Sequence, residues 1–247
     1  MPSSNLRVVV ACVTFETVMV VEPVKHYKAD RVYLLHQARK APYSDFLKEV
    51  QSLLGPFGCE CVLKELNVNS FKIVMKEVLG ILRKEKEAGN HVYVNVGAGP
   101  NVFAAAALMA CMMEGAQAFN VGTKEWTVKP DLFYVAGRPV GMSKVVHEPF
   151  ELPEFEIKAP RPELVSGLRA WHNLSMQKGL MNANNMIQKL EREGLLPDAG
   201  QQKTGKQAKV MKYRRTFLEP WLKEGWLEKD GRRLKLTEKG KGILDIF

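Results

Sequence analysis

The chain has 247 residues and a mass of 27.8 kDa, room for two domains of roughly 100–200 residues each. Hydrophobic residues make up 46% and charged residues 26%, which excludes a wholly disordered chain, and no apolar run reaches the roughly 20 residues of a bilayer-spanning helix. The formal charge of +9 is concentrated at the C-terminal end: residues 1–150 carry +3, residues 151–200 carry −1 and residues 201–247 carry +7.

Met1 to Arg7 runs directly into Val8-Val9-Val10 without a signal-peptide core, so a cytoplasmic location is expected. Leu6–Thr14 reads as a fully buried strand, followed by a helical run to Tyr27 and a strand at Arg31–Leu35. A helix is expected over Ser44–Leu54, a strand over Glu60–Leu66, and a helix from Ser70, a candidate cap, to about Lys86. His91–Val96 reads as a strand, Asn101–Met113 as an Ala-rich helix, and Ala118–Val121 and Leu132–Val135 as further strands. This alternation predicts an α/β, Rossmann-like domain: a parallel sheet with helices on both faces.

Such sheets take ligands in the crevice at the carboxyl ends of their strands, so the loops after strands matter most. The first is Thr14-Phe15-Glu16, the second carries Arg39 and Lys40, and the fourth is Asn95-Val96-Gly97-Ala98-Gly99-Pro100-Asn101, leading into a helix. Gly97 and Gly99 permit close backbone approach, and the helix start offers N–H groups to an anion. Neither Gly-x-Gly-x-x-Gly nor a Walker Lys-Ser/Thr is present there. Arg39 can add charge to the same rim. An equally simple reading makes the glycines a packing turn.

From Glu148 to Pro162, four prolines interleave with glutamates, as in a stiff linker or crossing strap. The expected division is 1–147 for the first domain, 148–162 for the linker and 163–247 for the second. There, helices are expected at Leu164–Leu174, Ala183–Glu193 and from about Gly205. On the third, Val210, Phe217, Leu218, Trp221 and Leu222 share one arc, with Lys209, Lys212 and Arg215 opposite. Pro220 is expected to kink or divide that helix. Asp230-Gly231 predicts a hairpin, with Thr237 capping a closing helix. Helices, hairpin and helix are the order of an α+β winged helix-turn-helix, and the cations expected to meet DNA are Lys206, Lys209, Lys212, Arg214, Arg215, Arg232, Arg233 and Lys235.

Cys12, Cys59, Cys61 and Cys111 read as buried thiols, and no ligand spacing predicts a metal or cofactor. In its order of parts the chain resembles archaeal regulators that join a CRISPR-associated Rossmann-fold (CARF) sensor to a winged helix, in the branch of MarR-like or haloarchaeal-type transcriptional regulators. The resemblance implies ligand contacts at Thr14, Phe15 and Glu16 and at Asn95, Gly97, Ala98, Gly99, Pro100 and Asn101. It also implies a homodimer, double-stranded DNA as partner, and a nucleotide-like effector such as a cyclic oligoadenylate. The Thr/Ser-Gly-basic run customary in the second loop is absent. The alternative function is a nucleotide-processing, ring-nuclease-like hydrolase with a basic accessory domain; Glu16 and His36 are the titratable groups in the strand-end loops that could act there.

Overall fold

A computed structural model describes residues 5–37, 42–127, 134–177, 181–196, 205–231 and 233–247, with the side chain of Lys206 left aside. The chain divides into two compact units, Met1–Lys158 and Ala159–Phe247.

The first unit begins with β1 (Arg7–Val13), a continuous apolar run whose residues from Val8 onward are at most 1% exposed. A central parallel strand is covered on both faces and therefore needs no polar alternation. Then come α1 (Val18–His26), β2 (Arg31–His36), α2 (Tyr43–Leu54), β3 (Glu60–Glu65), α3 (Phe71–Glu87), β4 (His91–Asn95), α4 (Asn101–Glu114) and β5 (Gln117–Asn120). Ser70 stands at the start of α3, but its side chain accepts no capping bond. Four short strands follow, β6 (Thr123–Trp126), β7 (Tyr134–Val135), β8 (Arg138–Pro139) and β9 (Ser143–Val146), and then β10 (Phe150–Glu151). Of the strand expected at Leu132–Val135, Leu132 and Phe133 lie outside the described residues.

The sheet runs β3-β2-β1-β4-β5 in parallel, with β10 antiparallel on the β5 edge. One face buries Val9, Ala11, Val32 and Leu34 against Val20 and Val24 of α1 and Phe46 and Val50 of α2. The helices α3 and α4 pack together on the other face. The architecture is Rossmann-like.

At the edge of that layer Glu85 of α3, 1% exposed, accepts hydrogen bonds from Arg31 Nη1 at 3.0 Å, Tyr33 OH at 2.5 Å and Asn90 Nδ2 at 2.6 Å. Burial pushes its carboxyl pKa up, but those hydrogen bonds and the Arg31 charge outweigh it, so the pKa lies below the usual value.

The second unit comprises α5 (Pro162–Ser175), α6 (Ala183–Arg192), α7 (Lys206–Tyr213), α8 (Glu219–Lys223), β11 (Leu227–Asp230), β12 (Arg233–Leu236) and α9 (Glu238–Ile246). Its core joins Leu168 and Trp171 of α5, Met186 and Leu190 of α6, and Phe217, Trp221 and Trp226. Trp221 Nε1 donates to Leu164 O at 2.9 Å, and Gly167 lets α5 approach closely, since a Cβ there would lie 2.7 Å from the Phe217 ring. Asp230 pairs with Arg233, so the hairpin turns one residue later than Asp230-Gly231 alone implies. Thr237 caps α9 by accepting from Gly240 N at 3.0 Å.

Pro220 does not stop the helical run. A π turn over Arg214–Leu218 joins α7 to α8 without interruption, the Glu219 N–H bonding to Arg214 O, and Pro220 falls in the first turn of α8. The wider turn shifts the hydrogen-bond register just before the residue that has no N–H to give, and proline is tolerated in a first turn. The connection expected over Leu195–Thr204 lies mostly outside the described residues.

Candidate functional site

The strand order makes β1 and β4 neighbours whose following helices leave to opposite faces. Ligands of open α/β sheets bind at this switch point, between the loops after β1 and after β4. Asn95, fully buried, stitches the two together. Its Nδ2 donates to Met19 O of α1 at 2.7 Å, and its Oδ1 accepts from Gly97 N at 2.9 Å and Ala98 N at 3.2 Å.

The glycines answer to packing. Gly99 has φ 123°, and a Cβ there would sit 2.8 Å from Cys12 Cβ in β1. A side chain on Gly97 would strike Asn120 and Val121 at the end of β5. Both glycines therefore let the loop lie flat on strand ends. Pro100 then opens α4, whose start has no side-chain cap and no acidic residue in its first turn, and Asn101 and Val102 are exposed. The positive end of this 14-residue helix faces solvent at the switch point.

On the other side of the crevice, Thr14 and Phe15 are half-buried, Phe15 packing on Tyr43 at 4.4 Å and on Phe46 at 5.8 Å. Glu16 turns inward. It is 7% exposed, and its carboxyl meets Ser143, from N to Oε2 at 3.2 Å and from Oγ to Oε1 at 3.4 Å. Burial raises its pKa to about 7, against the lowering effect of the Ser143 and Met142 hydrogen bonds. His36 is also buried, and burial lowers its pKa despite the charge of Glu65. Neither group of the hydrolase alternative is thus open to solvent. Arg39 lies outside the described residues.

The structure places Thr14 and Phe15 after β1 and Asn95 to Asn101 after the neighbouring β4, with Asn95 and Ala98 wholly buried, and it commits the Glu16 carboxyl to Ser143. Ser143 and Gly141, more than 120 residues from Glu16, had no local motif to announce them. Two adjoining depressions of about 360 Å³ each lie at the amino ends of β4 and β5, meeting at Glu154, and another of about 550 Å³ lies at the carboxyl ends of β2 and β3, beside Gln37, Glu65, Leu66 and Asn67.

In the second unit, Lys212, Arg215, Arg233 and Lys235 are exposed and form no ion pair among the described residues. Lys209 is otherwise engaged: its Nζ lies 2.8 Å from Glu191 Oε1 of α6. Arg214 pairs with Glu219 at 3.1 Å. Arg232 and the Lys206 side chain are not described. Burial pushes the thiols of Cys59 and Cys111 up to about 12 and raises Cys12 further. Among the described residues no group of His, Cys, Asp and Glu is arranged to hold a metal, and no helix is long and apolar enough to cross a membrane.

The family model described as "HFX_2341_N:-like, N-terminal" matches residues 7–131, just over half of the chain. The chain belongs to this family. The HFX_2341_N-like match spans β1 to β6 and so contains both strand-end loops of the crevice. No curated protein matches the chain. Among solved structures it is similar to Enterococcus italicus Csm6 bound to cyclic hexa-2'-fluoro-hexa-dAMP, at 13% identity and a TM-score of 0.43, over 90% of this chain and 56% of that one. Can2 from Sulfobacillus thermosulfidooxidans in complex with cyclic tetra-adenylate is 14% identical with a TM-score of 0.42, over 96% and 63%. Protein VC1899 from Vibrio cholerae is 11% identical with a TM-score of 0.40, over 97% and 64%. The chain spans less than two thirds of the length of each.

Proposed function

We propose that this chain is an effector-responsive, DNA-binding transcriptional regulator that works as a homodimer. Its Rossmann-like unit takes a nucleotide-like, anionic effector, and its second unit is a winged helix-turn-helix that takes double-stranded DNA. The observation that carries the reading is the open start of α4 at the switch point, uncapped and free of acidic residues. Phosphates of an effector meet its N–H groups, and Phe15, half-buried across the crevice, offers a ring edge to a base. In the second unit, three helical stretches, a two-stranded hairpin and a last helix support the winged-helix reading. Lys212 and Arg215 supply phosphate contacts from the helix, and Arg233 and Lys235 from the hairpin.

The test has two arms on the full chain. Calorimetric titration with cyclic tetra-adenylate and cyclic hexa-adenylate is expected to show saturable binding that 3′,5′-cyclic AMP does not match. Titration of labelled duplex DNA is expected to show salt-dependent binding whose affinity shifts with effector, and DNA must then shift effector affinity by the same factor. Absence of duplex binding at every salt concentration, with and without either effector, refutes the regulator reading.

A further inference from the structure

After β5 the chain makes an excursion over β6 to β9 before β10 returns to the sheet. Its second half lies across the carboxyl end of β1. Glu16 forms an antiparallel bridge with Gly141, Thr17 N donates to Val140 O at 3.4 Å, and Thr17 Oγ1 donates to Pro139 O at 2.6 Å. The approach is so close that only glycine fits at position 141: φ is 83°, and a Cβ would collide with the Phe15 carbonyl. At the centre lies a buried chain of polar groups, in which the Glu16 carboxyl meets Ser143, and Ser143 Oγ lies 2.8 Å from Thr123 Oγ1. Ser143 is completely buried.

A buried carboxylate ordinarily has a cation beside it. Here none is paired with it among the described residues. Phe15 and Thr17 on its own loop, and Ser143 and Thr123 opposite, carry no titrating charge. Of the charged groups on the surrounding elements, Arg138 pairs with Glu49 at 3.9 Å, Lys144 pairs with Glu125 at 3.4 Å, Asp45 accepts from the Tyr134 hydroxyl at 3.2 Å, and Lys48 and Lys124 are exposed. A neutral carboxyl group suits the place. Its oxygens face the Ser143 N–H at 3.2 Å and the Ser143 hydroxyl at 3.4 Å, and a protonated carboxyl there would donate to that hydroxyl.

We infer that Glu16 is a proton-dependent latch: protonated, it holds the Arg138–Val146 segment against the loop after β1, and ionised, it loosens that hold. Beneath the segment lies the start of α1, whose first turn is also free of acidic residues. Release opens a second helix amino terminus at the crevice, so latch and effector site are coupled. That coupling rests on the proposed function; the latch itself is a property of the ligand-free protein.

The sign follows from burial. The carboxyl pKa is raised to about 7 while the segment is down and returns towards 4.5 when it lifts. Opening therefore grows with pH between those limits, by about tenfold per unit, and levels off above about 7. The experiment is hydrogen–deuterium exchange of the ligand-free full chain from pH 5 to pH 8, corrected for intrinsic exchange and read on peptides covering residues 138–146, with β1 as the reference. Wild type is expected to lose protection there by at least tenfold between pH 5 and pH 7, with no equivalent change in β1. Glu16→Gln keeps the shape and hydrogen bonds without the charge, and its protection is expected to stay flat with pH. Ser143→Ala is expected to open the segment already at pH 5. Flat protection in wild type, an unaltered pH response in Glu16→Gln, or wild-type protection of Ser143→Ala at pH 5 would each overturn the latch. None of these outcomes touches effector or DNA binding.

Discussion

Asn95→Asp is the sharpest probe of how the crevice is held. The substitution is isosteric, and the oxygen that accepts from Gly97 N and Ala98 N remains. What changes is the atom 2.7 Å from Met19 O: a donor becomes an oxygen that can bond that carbonyl only when protonated. The site is completely buried, so an ionised carboxylate there would face a carbonyl at hydrogen-bond distance with no water. Remaining neutral is the alternative, and its free-energy cost grows with pH. With an unfolded-state pKa of about 3.9 and 1.36 kcal/mol per unit, that cost is about 1 kcal/mol at pH 4.5 and about 4 kcal/mol at pH 7. The second figure is a large share of the roughly 5–15 kcal/mol that holds a domain together. Limiting hydrogen-exchange protection in β1 and β4, compared with wild type at each pH, gives the difference directly. The two loops are joined as described if the destabilisation deepens by about 3 kcal/mol between pH 4.5 and 7. An equal loss at both values would refute the reasoning, because the bond to Met19 would then not depend on a proton.

Gly99→Ala combines a backbone angle that other residues avoid with a Cβ pressed on Cys12, and a loss of about 3 kcal/mol is expected from chemical denaturation of the first unit. Lys212→Ala and Arg215→Ala should each lower the slope of log affinity against log salt for duplex DNA by about one. Lys209→Ala, already paired with Glu191, should leave that slope unchanged. Glu85→Gln removes the charge from the bonds to Arg31, Tyr33 and Asn90 while Arg31 keeps Glu60 at 2.7 Å, so thermal unfolding at pH 7 should show a destabilisation of about 2 kcal/mol. Because the pKa of Glu85 is lowered on folding, the wild-type advantage over Glu85→Gln is present above the unfolded value and fades as the pH falls through the folded one.

Local pattern carried the regular part of the fold. Continuous Val-rich runs such as Val8–Val13 announce strands buried on both faces, and the apolar spacing of α3 announces a helix, because both periods are written in neighbouring residues. The strand order is a matter of contacts between distant segments, yet the loops after β1 and β4 could be singled out because such loops bear ligands in any open sheet. Apart from the strand ending at Val135, the excursion from Thr123 to Val146 was illegible for a physical reason: its strands are two to four residues long, too short for a period to show. Glu16 shared that fate, since its partner Ser143 lies 127 residues away. A helical wheel assigned Lys209 to the free face, but a wheel knows one helix, and α6 brings Glu191 to meet that lysine.

The short β10 has a practical consequence for handling the protein in pieces. A strand at the border of a sheet offers a row of unpaired N–H and carbonyl groups to any other chain. Phe150 and Glu151 occupy that row on β5, and the following residues tie down further through Leu152 N to Ala118 O and Ile157 N to Met112 O. A fragment cut after His147 would strip this selvage and leave β5 raw, inviting self-association during purification. One cut after Lys158 keeps its own hem.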